Sequence, residues 1–233
     1  MGLFADASKY GGTFYREFSQ AQGSNDVSNY FGYRDAFVTN YGVCSGASLY
    51  WLKFYLTRAY PYAKYNNNYL LYEKENIVTA QKAVRYREQP LNELLIDCGL
   101  QKDVLWDDMV NQENMNEIID IIIDRTCAWT LTYKHPQFGQ HVVCGITDIV
   151  KNLYFCDVHK GDVFFPRGFK GKDWLLKYFD IFIKQCGNMG ISSFKHRWNS
   201  GKFNSELKKI RRDACYYIPP NGRYLFKEYT TIQ

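Results

Sequence analysis

The sequence predicts an α+β fold, in which a helical part packs on an antiparallel β-sheet. Apolar residues recur at helical spacing through the first half of the chain, whereas from Cys127 onward they alternate in short segments joined by tight turns. Helices first and antiparallel strands later is an α+β arrangement. With 233 residues, 46% of them apolar, and no internal repeat or Pro/Ser-rich linker, we assign residues 36–233 to one domain.

The helices follow from the apolar pattern. Residues 1–35 are rich in Gly, Ser, Asn and Tyr and predict an irregular N-terminal lead-in. From Ala47 to Ala59 the apolar residues form a wide helical stripe, and Pro61 ends it. Further helices are predicted over Ile77–Tyr86, from Pro90 to Cys98, over Val104–Arg125 and over Trp174–Gln185.

The strands form a meander. The alternation around Trp129, Leu131 and Tyr133 predicts a strand, and turns of two to six residues separate it from the strands that follow. The predicted strands are Cys127–Lys134, His141–Val150, Leu153–His159, Val163–Phe165 and one near Cys215–Ile218.

The net charge of +5 is concentrated near the C-terminus. One stretch carries seven basic residues against the single acid Glu206: Lys195, Arg197, Lys202, Lys208, Lys209, Arg211 and Arg212. Such a stretch is either a solvated face or a docking patch for an acidic partner or an anionic membrane surface. We expect no nucleic-acid partner, because no zinc-finger or RNP-type signature accompanies the charge.

The seven cysteines predict neither a disulfide framework nor a metal centre. Their number is odd, their spacings are wide and no CxxC pair occurs. Most adjoin apolar residues, where cysteine behaves as a small buried side chain. We therefore expect a reducing compartment and no metal or other cofactor.

Cys44 stands out because a glycine-containing loop leads it into the start of a long apolar helix. Unpaired N–H groups and the positive end of the helix dipole stabilise a thiolate there. The small residues at 45–47 leave room for a substrate backbone beside the sulfur. A buried structural cysteine is the alternative.

A thiolate nucleophile needs an imidazole and a group that orients it. His141 opens a predicted strand, and Asp157 lies in the next strand among apolar residues, where a carboxylate is costly unless paired. A turn at 151–152 would leave the two about five residues out of register, so their pairing requires a turn nearer Asp148 or a bulge. His159 is an alternative base, or lines the cleft rim.

Three islands within residues 36–166 resemble the YopT-type cysteine proteases. The run GVCSGASLYWL at 42–52 is similar to the family's nucleophile motif, His141-Val142-Val143 to its His island, and FCDVHKGDVFF at 155–165 to its Asp island. After Asp157 the sequence departs from the family, which commonly has Pro and Asn where this chain has Val158 and His159.

The resemblance implies a papain-like fold with Cys44 as nucleophile, His141 as general acid/base and Asp157 as the carboxylate that orients it. It also implies a bacterial effector or toxin that cleaves specific proteins in a target cell. The first six residues show no Sec-type signal, so we expect delivery by a specialised system and action in the target-cell cytoplasm. Papain-like sites use an upstream side-chain amide in the oxyanion hole, and Asn40 is the candidate, with a plain turn role as the alternative.

Two other functions remain open from the sequence. A transglutaminase or deamidase uses the same Cys-His-Asp chemistry on a glutamine amide. A catalytically inactive relative would instead be a docking module that uses the basic stretch at 195–212.

Overall fold

The computed structural model describes residues 2–16, 44–57, 77, 79–81, 84, 90–135, 139–158, 160–195, 201–206 and 208–209. The helices are α1 (Gly2–Ala5), α2 (Cys44–Thr57), α3 (Leu91–Asp97), α4 (Met115–Asp124) and α5 (Gly171–Cys186). The strands are β1 (Thr13–Arg16), β2 (Gln101–Lys102), β3 (Asp108–Val110), β4 (Cys127–His135), β5 (Gly139–Thr147), β6 (Leu153–Asp157), β7 (Gly161–Phe165) and β8 (Met189–Lys195).

These strands form one antiparallel sheet in the order β1-β7-β6-β5-β4-β8-β2, with β3 also paired to β8. The meander β4–β7 lies at its centre because its turns are short and its strands adjacent in sequence. The predicted α+β class, with a helical part packed on an antiparallel sheet, is confirmed.

Helices cover both faces of the sheet and create two apolar cores. α2 packs on one face, where Trp51 and Leu52 join Cys144 and Ile146 of β5. α4 and α5 contribute to the core on the other face. Each buries a helical stripe there: Met115, Ile118, Ile119 and Ile122 from α4, and Trp174, Leu175, Tyr178 and Phe179 from α5.

Two close approaches require glycine. A Cβ on Gly145 would lie 2.2 Å from the ring of Trp129, which is opposite it on β4. A Cβ on Gly46 would lie 2.1 Å from the carbonyl oxygen of Ile77. The second contact lets the neighbouring helical segment pack directly on the first turn of α2.

The structure differs from the predicted elements in several places. The helix expected over Val104–Arg125 is present only as α4, and its first part contains β3 instead. Neither β2 nor β8 was predicted. Residues 2–16, expected to be irregular, form α1, a 3-10 turn and the edge strand β1, which pairs with β7.

Other expectations concern parts of the chain that the structure does not cover. The strand predicted near Cys215–Ile218 and most of the 1–35 lead-in lie outside the described residues. No helix among the described residues has both the length and the apolar character needed to cross a bilayer.

Candidate active site

Cys44 is the first residue of α2, as the loop-to-helix pattern predicts. Its sulfur therefore lies beside the N–H groups of the first helical turn, which have no partners within the helix. The residue is buried, with 6% of its surface exposed. Val142 of β5 donates a backbone hydrogen bond to the sulfur, so the start of α2 and the start of β5 meet at this atom.

The β5–β6 register brings His141 and Asp157 together. Cys144 lies opposite Cys156, and Thr147 opposite Leu153. Continued outward, this register places Asp157 opposite Val143 and leaves His141 two residues further along the same face. Diagonal neighbours on one face are within reach of long side chains. The turn spans residues 148–152, so its centre lies between the turn at 151–152 and the turn nearer Asp148 that the sequence analysis considered.

The imidazole and the carboxylate form a buried ion pair. Nε2 of His141 lies 3.0 Å from Oδ1 of Asp157, and the two residues are 3% and 1% exposed. Burial lowers the pKa of His141, but the charge and hydrogen bond of Asp157, together with Cys44, outweigh it and raise that pKa to about 9. His141 is therefore an imidazolium at neutral pH. Since Nε2 faces Asp157, Nδ1 is the nitrogen left for Cys44.

The pKa of Cys44 shifts in the opposite direction to that of His141. Burial raises the pKa of Cys44, but the hydrogen bond and charge of His141, with smaller help from Val142 and Ser45, lower it below its ordinary value. Burial instead raises the pKa of both Cys98 and Cys127 to about 12. Cys44 is thus set apart from Cys98 and Cys127 by a lowered pKa beside the ring of His141.

A solved protein shares this fold. A crystal structure of the Pseudomonas avirulence protein AvrPphB aligns with a TM-score of 0.50 and 10% sequence identity. The alignment covers 66% of this chain and 91% of that one. At this identity the likeness shows a distant fold relationship, and the papain-like class expected from the sequence agrees with it. No protein-family model matches the sequence, and no curated protein is significantly similar to it.

Two tyrosines that the sequence analysis did not single out support the carboxylate. The hydroxyl of Tyr178 on α5 donates to Oδ2 of Asp157 at 2.8 Å, so both carboxylate oxygens have partners. Tyr133 on β4 is hydrogen-bonded to Tyr178, and its ring makes an edge contact with His141. Burial, then the charge of Asp157, raises the pKa of Tyr178, which keeps it a donor. The only feature of the sequence that could have indicated Tyr178 is its position on the apolar stripe of α5, because a buried tyrosine hydroxyl needs an acceptor.

Gln81 fixes the first turn of α2. Its side-chain oxygen accepts the Gly46 N–H at 3.0 Å, and the residue is 6% exposed. Gln81 therefore acts as a cap supplied by a neighbouring helical segment, in place of an N-cap side chain. Sequence periodicity gave no reason to select it.

The remaining predicted residues are only partly visible. Asn40, His159, Arg197, Arg211 and Arg212 lie outside the described residues. The rest of the basic stretch is exposed at the end of β8 and on the helical segment 201–209: Lys195, Lys202, Lys208 and Lys209, the last paired with Glu206 at 3.7 Å. Among the described residues, no three His, Cys, Asp or Glu side chains cluster as metal ligands would.

Proposed function

We propose that this chain is a cysteine endopeptidase of the bacterial effector type. The observation that carries the proposal is the buried chain of contacts from Cys44 through His141 to Asp157, in which the pKa of Cys44 is lowered and that of His141 is raised. A cysteine and a histidine buried for structural reasons alone do not require opposite shifts in pKa. Perturbed values of this kind cluster at sites of nucleophilic catalysis.

The geometry supports acyl transfer in two steps. The Cys44 sulfur attacks a peptide carbonyl carbon, and the imidazolium of His141 gives its proton to the departing amine, which leaves a thioester. Neutral His141 then takes one proton from water as that water attacks the thioester carbonyl, and the carbon–sulfur bond breaks to release the acid product and the Cys44 thiolate beside the protonated ring. Asp157 holds the ring in one orientation throughout and stabilises its positive charge.

Stabilisation of the oxyanion requires donors aimed at the developing charge. The start of α2 supplies backbone N–H groups at the sulfur, and the helix dipole favours negative charge there. The side chain of Asn40 remains a proposal for the second donor.

The biological setting is proposed from the sequence resemblance and from the shared fold. Its resemblance to YopT-type proteases and the fold it shares with an avirulence protein of Pseudomonas favour an effector or toxin that acts on a small set of host proteins. Delivery without a Sec-type signal and action in the target-cell cytoplasm belong to this proposal.

The test is a comparison of newly formed protein N-termini in target cells that express wild type, Cys44→Ala or Cys186→Ala. Cys186 is the matched control because it is a half-buried cysteine at the end of α5 with a raised pKa. We expect a small set of new N-termini with wild type and Cys186→Ala and none with Cys44→Ala. New N-termini that persist in Cys44→Ala would overturn the proposal.

The same samples separate the rival reactions. A deamidase would leave chain lengths intact and increase the mass of a glutamine residue by about 1 Da, and a transglutaminase would produce cross-links or amine adducts. An inactive docking module would leave both masses and N-termini unchanged.

A further inference from the structure

Three exposed apolar side chains lie in two loops at the end of the sheet opposite the candidate active site. Ile149 and Val150, at the tip of the β5–β6 turn, are 83% and 53% exposed, and Phe169, between β7 and α5, is 56% exposed. We call these three residues the distal tip. Single exposed apolar residues are ordinary, but a group of them marks an interaction surface.

Hydrogen bonds fix the β5–β6 turn, and the conformation of this turn does not require apolar residues at its centre. Lys151 N–H donates to the Asp148 carbonyl, and the Asp148 carboxylate accepts from the N–H groups of Val150 and Asn152. Ile149 and Val150 therefore occupy the two central turn positions, which ordinarily hold polar residues, Pro or Gly. Two adjacent β-branched residues there gain nothing from the fold, because neither is buried by it.

The two loops that form the tip are tied to each other. The backbone N–H of Arg167 donates to the side-chain oxygen of Asn152 at 3.0 Å, which joins the β7–α5 loop to the β5–β6 turn. The ring of Phe169 rests against Gly11, where an added Cβ would lie 2.1 Å from it. The tip is thus held as one surface.

Basic residues flank the tip. Arg167 and Lys170 lie on either side of Phe169 and are exposed. Lys151 follows Val150, is half-buried, and its ammonium donates to the carbonyl of Asp124. The acid in the turn, Asp148, is occupied by backbone N–H groups and by the side-chain amide of Asn152. Exposed apolar side chains within a basic rim fit the interface of an anionic bilayer, whose headgroups attract Lys and Arg while its acyl boundary accepts the apolar groups.

We propose that the distal tip docks this protein on anionic lipid membranes. Thr147 is six residue steps along β5 from His141, so the candidate active site lies about 20 Å from the tip. A protein seated by its tip presents Cys44 away from the lipid. Docking does not depend on catalysis, so failure of the proposed protease function leaves it intact, and the reverse also holds.

The test is co-sedimentation with vesicles of phosphatidylcholine alone and of phosphatidylcholine with phosphatidylserine, at low and high salt, with Cys44→Ala protein. Ile149→Ser with Val150→Asn replaces two of the three tip residues with residues that suit a turn, and Arg167→Glu with Lys170→Glu reverses the rim charge. Val104→Ser with Met109→Ser is the matched control, because those side chains are 55% and 51% exposed, the first in the segment after β2 and the second on β3. Circular dichroism verifies that each variant is folded.

We expect binding to the phosphatidylserine vesicles that weakens with salt. The turn variant binds at least about 10-fold more weakly, the charge variant loses the preference for phosphatidylserine, and the control binds as wild type. Absence of binding at low salt would overturn the proposal. Binding by the turn variant that equals wild-type binding would also overturn it. If Lys208→Glu with Lys209→Glu then abolishes binding, the docking surface is the basic stretch. A dimer in solution that the turn variant dissociates would assign the tip to a second copy of the chain.

Discussion

Replacement of Asp157 by asparagine tests the origin of the reactive thiolate. The substitution keeps a side-chain oxygen for His141 but removes the charge that opposes the effect of burial on the ring. The rise in the pKa of His141 from 6.5 to about 9 corresponds to about 3 kcal/mol in favour of the imidazolium. Without the carboxylate, burial dominates and favours the neutral ring at pH 7. Cys44 then loses its cationic partner.

The size of the effect follows from ionisation. An unperturbed thiol is about 3% ionised at pH 7, so the return of Cys44 from its lowered pKa to an ordinary one slows labelling at pH 7 by up to about 30-fold. The assay is the rate of iodoacetamide labelling of Cys44 against pH, read by peptide mass spectrometry. Because Cys44 is only 6% exposed, the variants are compared with one another and not with free cysteine.

Asp162 provides the matched control. It is another carboxylate of the central sheet, 6% exposed and placed on β7, and it causes neither the pKa shift of Cys44 nor that of His141. We expect Asp162→Asn to keep the wild-type pH profile of labelling, whereas Asp157→Asn moves the rise to higher pH. If Asp157→Asn labels Cys44 at pH 7 as fast as wild type, the carboxylate does not sustain the ion pair.

Three further outcomes are expected. Tyr178→Phe removes the hydroxyl that donates to Oδ2 of Asp157 at 2.8 Å, which should cost about 1.5–3 kcal/mol of stability and lower Tm by about 3 to 12 °C. The control Tyr154→Phe, which removes a hydroxyl 3.4 Å from Asp148, should lower Tm less, and equal losses in Tm would contradict this. Gly46→Ala should destabilise by roughly 1–3 kcal/mol in urea unfolding, because its Cβ meets the Ile77 carbonyl; unchanged stability would show that this contact is loose. Peptide cleavage should decline as pH rises through about 9, where the raised pKa of His141 ends its role as proton donor; a decline already complete near 6.5 would exclude that role.

The sequence could predict those parts of the molecule that local patterns determine. The change of apolar period at Cys127 indicates a fold with helices first and a sheet later, and the loop before Cys44 indicates a helix start. The order of Cys44, His141 and Asp157 supplies the chemistry. Their convergence depends on the β5–β6 register, and one or two residues at a turn decide that register.

β8 shows why the rest could not be predicted. Its central residues Ser192 and Ser193 are buried. The hydroxyl of Ser192 accepts from the side chain of Asn92 in α3, and that of Ser193 accepts from the backbone N–H of Leu105. Small polar residues satisfied by distant segments give no alternating apolar pattern. The same holds for Tyr178, whose role appears only when α5 packs over β6.

The protonation state of His141 tests the central claim most directly. Nitrogen NMR of histidine-labelled protein reports whether one or both ring nitrogens carry a proton, and His141→Asn assigns the signals. The account predicts an imidazolium at pH 7 that loses its proton near pH 9. A neutral ring at pH 7, with a midpoint below the ordinary histidine value, would show that burial prevails and that Cys44 has no cationic partner.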